Sequence, residues 1–241
     1  MAKLRVHNIE SGPASSDVAF GISGDTIAVS SDSLKLNTWK DSGGNTLFVS
    51  DGAGTLSSVN STFSGAGPKL ILSQTADDSS SISFTANIDN TYDKYMFVFV
   101  NINPAASAIF EFNGSIDGGS NYNVTKTSTF YRANHEESAA SANLSYRVDD
   151  DLAQSTAYQN LVPQVSHGAD ENCGGILYLL VPSSTTYVKQ FYSRVQTQYS
   201  GTYTMDCFAA GYFNTTSAIT AMDFKMSTGN FDGKVKMYGV T

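Results

Sequence analysis

Three stretches of this chain bring histidines and carboxylates close enough to do chemistry. His135-Glu136-Glu137 starts like a zinc-protease motif, but that motif needs a second histidine one helical turn later, and position 139 is alanine. It reads as a solvated loop. His167 near Asp170 and Glu171 offers ligands for a metal, although polar loop residues of this kind are more often simply exposed. Asp149-Asp150-Asp151 supplies hard oxygens, yet calcium loops alternate their acids around a fixed glycine, so the triplet reads as a solvated turn. A carboxylate pair for glycoside cleavage is defined by separation in space, which spacing along the chain does not give. Neither a serine-centred elbow nor a glycine-rich phosphate loop with its lysine occurs. The expectation is a protein with no catalytic residue, no metal and no cofactor.

Recognition is better represented than catalysis. Tyr92, Tyr122, Tyr131, Tyr146, Tyr158 and Tyr199 fall at strand ends or in polar loops, and tyrosine is a good amphipathic contact for sugars and proteins. Tyr122, Tyr131, Tyr146 and Tyr158 are the candidate receptor contacts. Capping the ends of a sandwich core is the other reading, and both stand. Cys173 and Cys207 lie in strand-like runs and read as buried thiols rather than a bridge.

Elements to position these residues must come from a polar, aromatic-rich chain. Its 241 residues suffice for one large β domain, or a small module with a medium one. Charged residues are 15% and aromatics 12%, too aromatic a mixture for disorder. A net charge of −8 argues against nucleic acid, which needs clustered Lys and Arg. No apolar run approaches the roughly 20 residues that cross a bilayer, so no membrane insertion is expected. Polar residues follow Met1-Ala2-Lys3-Leu4-Arg5, unlike the core of a secretory leader.

The first 66 residues read as a short β arm. Leu4 to Ile9 alternates as a strand. "GDTIAVSSD" (Gly24 to Asp32) and "GNTLFVSDG" (Gly44 to Gly52) form a weak repeat, with "GTLSSVNS" as a truncated third copy. Each copy has one thin apolar stripe, which needs stacked rungs or neighbouring chains to be buried; simple hairpins are the alternative. Ser64-Gly65-Ala66-Gly67-Pro68 marks a boundary, with the head at residues 67–241.

In the head, Tyr95 to Val100 is apolar on both faces and predicts a central strand, Met96 and Val98 covering the side opposite Phe97 and Phe99. Roughly eight to ten strands, separated by turns, predict an all-β, C-terminal β-sandwich of jelly-roll type. A short helix is allowed within residues 134–168. Tyr203 to Phe213, Met222 to Met226 and Lys234 to Val240 alternate and predict a terminal antiparallel meander.

The run "GYFNTTSAITAMDFKMSTGNFDGKVKMYGV" resembles the closing segment of a β-rich virion structural family of tailed phages of marine bacteria, cyanobacterial phages especially. "SSISFTANID", "NINPAASAIFEFNGSIDGGSNYNVTKTSTFYRA", "DDDLAQSTAYQNL", "VPSSTTYVKQFYSRVQ" and "NTWKDSGGNTLFVSDGAGTLSSVNS" also look like family segments. The likeness covers about residues 37 to 241, leaving the first 36 unassigned. It implies a virion location and carries over no site residue.

These readings predict a non-enzymatic phage structural protein on the virion surface, assembled in the host bacterial cytoplasm. It would be a short homotrimeric projection, fibre, spike or capsid decoration, touching other capsid or tail proteins. Closed threefold symmetry would let the arm's stripes bury one another. Residues 1 to 66 would dock and the head would face outward. The alternative is a tail fibre adhesin recognising a host surface glycan. A glycan-degrading tailspike fits less well, because no long β-helix repeat is present and few carboxylates lie in apolar strands.

Overall fold

Antiparallel pairing accounts for every strand partnership in the computed structural model, which describes residues 38–40, 43–50, 53, 56–59 and 67–240. The chain divides into two compact units, Met1–Gly65 and Ala66–Thr241. In the first, β1 (Thr38–Lys40), β2 (Thr46–Ser50) and β3 (Leu56–Val59) form one sheet in that order. Trp39 pairs with Phe48 and their rings stack at 5.4 Å. The last two repeat copies thus supply adjacent antiparallel strands, the hairpin arrangement rather than stacked rungs. The copy at Gly24 to Asp32 and the strand expected at Leu4 to Ile9 lie outside the described residues.

The second unit contains β4 (Lys69–Ser79), β5 (Ser81–Phe84), β6 (Lys94–Pro104), β7 (Ala108–Ser115), β8 (Lys126–Glu136) and β9 (Ala142–Tyr146). After these come β10 (Gln159–Val165), β11 (Cys173–Leu180), β12 (Lys189–Tyr199), β13 (Tyr203–Phe213), β14 (Ala221–Met226) and β15 (Phe231–Val240). A broad sheet runs β4-β15-β6-β11-β12-β13-β8-β9, and a narrow one runs β10-β7-β14-β5. Set aside β8, β9, β12 and β13, and eight strands remain. Numbered along the chain, their order is 1-8-3-6 in one sheet and 2-7-4-5 in the other. That order is a jelly roll. The two hairpins β8–β9 and β12–β13 are insertions that add to the broad sheet beyond β11, and they carry the strand number past the expected eight to ten.

The expected terminal meander is not formed. β13 pairs with β12 and β8, β14 crosses to the narrow sheet between β7 and β5, and β15 returns between β4 and β6. Alternation identifies which side chains face the core but not which strand lies alongside, and jelly-roll connections pass from sheet to sheet. No helix occurs among the described residues, so residues 134–168 form strands and turns instead.

Phenylalanines from both sheets fill the space between them. Phe224 of β14 lies 5.2–6.4 Å, ring to ring, from Phe84, Phe97, Phe99, Phe110 and Phe112. Cys173 and Cys207 are buried free thiols, facing inward on either side of β12. Burial raises the pKa of both, Cys207 to about 12. β6 is central, with Phe97 and Phe99 buried as expected. Its other face differs from expectation. Met96, Val98 and Val100 are half-buried, on the outer side of the broad sheet.

Candidate functional site

Strand register aligns the outward side chains of the broad sheet into rows. Tyr178 lies beside Tyr192 and Ala210, and the next row is Ile176, Arg194, Phe208, Tyr131 and Tyr146. A third row, Gly174, Gln196, Asp206, Ala133 and the exposed Leu144, is low at its two smallest members. The fourth holds Gln198, Thr204 and His135. Along these strands the face therefore grades from aromatic to polar.

Local chemistry fixes the aromatic rows. Tyr178 and Tyr192 stack at 4.9 Å, with Lys94 Nζ 5.4 Å from the Tyr178 ring centre. Tyr131 and Phe208 stack at 4.7 Å with planes 8° apart, and the Arg194 guanidinium lies 5.2 Å over the Phe208 ring. Arg194 donates to both carboxylate oxygens of Asp206 at 2.7–3.1 Å, and these bonds raise its already high pKa.

Beyond the aromatic rows opens a cleft of about 390 Å³, lined by His135, Glu137, Asn172, Gln196, Gln198, Tyr203 and Thr204. That volume suits a small ligand. A second depression of about 310 Å³, lined by Gly174, Gly175, Ile176, Arg194, Gln196 and Asp206, shares Gln196 with it. Gly175 is forced by the close approach of β11 and β12, where a Cβ would sit 2.3 Å from the Arg194 carbonyl. Gln196 Nε2 donates to Thr204 Oγ1 at 3.0 Å and to the Thr197 carbonyl at 3.1 Å. Planar amides, a hydroxyl and an imidazole beside aromatic edges make a surface for non-covalent recognition of a polar ligand.

The four candidate tyrosines are split between the two sheets. Tyr131 and Tyr146, 43% and 53% exposed, pair across β8 and β9 on the broad face. Tyr158 and Tyr122 lie half-buried over the outer side of the narrow sheet. Tyr158 donates its hydroxyl to Asp223 Oδ2 at 3.0 Å, and burial raises its pKa. The Tyr122 hydroxyl is buried. Tyr92 packs edge-on against Tyr95 at 5.8 Å, and Tyr199 is partly buried against the core.

The other candidates are dispersed. His135 faces outward into the cleft. His167 Nδ1 pairs with Ser107 Oγ at 2.9 Å, and Glu171 Oε2 accepts from the Gly168 amide at 2.7 Å. Asp150, expected in a solvated turn, is 6% exposed and accepts from Asn160 Nδ2 at 2.9 Å and Arg147 Nε at 3.3 Å. It ties the β8–β9 insertion to β10. No group of three His, Cys, Asp or Glu is placed to hold a metal among the described residues.

Sequence reasoning missed Arg194, Gln196, Gln198 and Thr204. The signal was present in the "QFYSRVQTQY" of β12, whose every second residue is polar or aromatic and outward. It also missed the carboxylates of the narrow sheet. Asp223 is 3% exposed and accepts from Ser83 and Tyr158. Burial raises the pKa of Glu111, which lies 3.5 Å from Lys225 Nζ. Both carboxylates therefore have partners.

The fold and this face together define an all-β jelly-roll protein with an extended broad sheet. Compared with protein-family models, curated proteins and solved structures, the chain matches none.

Proposed function

We propose that this chain is a non-enzymatic structural protein of a phage virion surface, a short homotrimeric projection whose jelly-roll head faces outward. The observation that carries the reading is the strand order of the head, because double-sheet jelly rolls recur in viral capsid and lectin domains. The resemblance of residues 37 to 241 to phage virion proteins supports the same reading. Residues 1 to 66 dock to the capsid or tail. Antibody raised against residues 67–241 should label the outside of intact particles of the phage that encodes the chain. Particles that contain the chain but label only after disruption overturn the surface location, and particles without it overturn the virion reading. Purified protein should have three times the 25.7 kDa mass of one chain; a stable monomer at micromolar concentration overturns the trimer.

The second reading, a receptor-binding adhesin for a host surface glycan, is favoured by one feature, the polar cleft beside the aromatic rows of the broad sheet.

A further inference from the structure

The cleft has a lining matched to hydroxyl groups rather than to charge or to apolar surface. Gln198 and Asn172 carry a donor and an acceptor on one planar amide, and a sugar's neighbouring hydroxyls can use both; Gln196, whose two amide hydrogens are taken within the protein, offers its carbonyl oxygen as an acceptor. Gln196 is oriented in advance by its bonds to Thr204 and the Thr197 carbonyl, 3.0 and 3.1 Å long. Arg194, which lines the adjoining depression, is already neutralised by Asp206 at 2.7–3.1 Å. Glu137 adds a carboxylate to the rim. An anionic sugar, phosphate or sulfate would find no lysine or arginine among the lining residues. Farther along the same face, outside the residues that line the cleft, stands the stack of Arg194, Phe208 and Tyr131, held at 5.2 and 4.7 Å, and Tyr146 continues it across β9.

We infer that this cleft binds a neutral oligosaccharide. Gln196, Gln198, Thr204 and His135 take its hydroxyls, and the Tyr131–Tyr146 side takes an apolar sugar face. The inference rests on the adhesin reading and moves its site to the broad sheet, away from Tyr122 and Tyr158. A second copy of the chain is the competing occupant. The lining favours the sugar, because amides and hydroxyls left without matched partners would weaken a protein interface.

The test is binding of fluorescently labelled full-length chain to an array carrying neutral, sialylated and sulfated glycans. Signal is expected on neutral glycans only. Gln196→Ala should weaken the apparent Kd for the strongest neutral glycan roughly five- to tenfold, and Gln198→Ala similarly. Tyr187→Ala should not change it, since that side chain is 73% exposed outside the cleft. Unchanged thermal unfolding of the variants would show that binding, not folding, was altered. Absence of neutral-glycan signal, preference for acidic glycans, or binding indifferent to Gln196→Ala each overturns the inference. So does a cleft occupied by a second copy, read as a stable oligomer that Gln196→Ala dissociates. Particle labelling without glycan signal rejects the sugar site and leaves the virion reading standing; glycan signal without particle labelling does the reverse.

Discussion

The two sheets of the head share one core but treat their outer faces in opposite ways. On the narrow sheet, outward Asp223 is roofed by Tyr158 and bonded to Ser83, while Lys225 lies 4.2 Å from the Tyr158 ring centre and 3.5 Å from Glu111. Asp223 is buried there, and Ser83, Glu111 and Lys225 are half-buried, each with a polar partner. On the broad sheet, Tyr131, Tyr146 and Tyr192 remain 43–53% exposed, and the charged pair Arg194–Asp206 sits in the open. Buried polar groups need partners to be tolerated at all, whereas exposed ones are free to exchange partners with a ligand. The difference separates a covered face from an open one.

The largest effect belongs to what the sheets share. Phe224→Ala removes the ring that touches five other phenylalanines and should cost about 3–5 kcal/mol of unfolding free energy, a large part of ordinary domain stability. Denaturant unfolding measures it. A loss below about 1 kcal/mol would mean that the sheets do not meet at this ring.

Next in size is the roofed face. Asp223→Ala leaves the Ser83 and Tyr158 hydroxyls without their acceptor and should cost about 1–3 kcal/mol, with Asp223→Asn recovering part of that. Equal stabilities of the alanine variant and the parent chain would show that the roof is loose.

Stability should also depend on pH through lysines within the fold. Lys126 is fully buried, donating to Asn113 Oδ1 at 2.6 Å and to the Val124 carbonyl at 2.9 Å. Burial pushes its pKa from 10.5 down to about 7, and that of Lys189 in the same direction. Between about 7 and 10.5 the unfolded chain binds a proton that the folded chain lacks, so stability rises with pH. Cys207 works against this above its ordinary 9.0, because the folded thiol holds its proton to about 12. Tyr95, raised from 10.0 to about 12 by burial, adds to that opposition from 10 upward. Unfolding free energy should therefore climb from pH 7 to 9 and flatten or turn beyond. Lys126→Met should reduce the climb. An unchanged slope in that variant would show that Lys126 is not its source.

The uneven legibility of these features has a physical cause. Which residues face inward was readable, because a strand's side chains alternate regardless of its partners. Met205, Cys207 and Ala209, like Val235 and Met237, are buried on the expected faces. Partnership was not readable: Tyr203 to Phe213, Met222 to Met226 and Lys234 to Val240 look like neighbours and lie in different sheets or apart. Asp223 looked like an ordinary solvent-facing position because its roof, Tyr158, is 65 residues away in sequence. The cleft was hidden for the same reason. Its lining comes from β8, β12, β13 and the loop before β11, and only the register between them places His135, Thr204 and Gln198 in one row.

The smallest expected effect tests the open face directly. Arg194 has 66% of its side chain exposed, and its bond to Asp206 is therefore screened by water. Arg194→Ala should leave unfolding free energy close to that of the parent chain, even though it removes a bidentate ion pair and a cation from the Phe208 ring. Aromatic packing of Phe208 on Tyr131 remains, so the sheet itself has little to lose. The comparison with Asp223 is the point of the measurement, because both variants delete one partner of a short polar contact, buried in one case and exposed in the other. A loss as large as that of Asp223→Ala, and larger at high protein concentration than at low, would show the broad face covered by another copy of the chain. The contrast between the two faces would then describe the isolated chain and not the assembly.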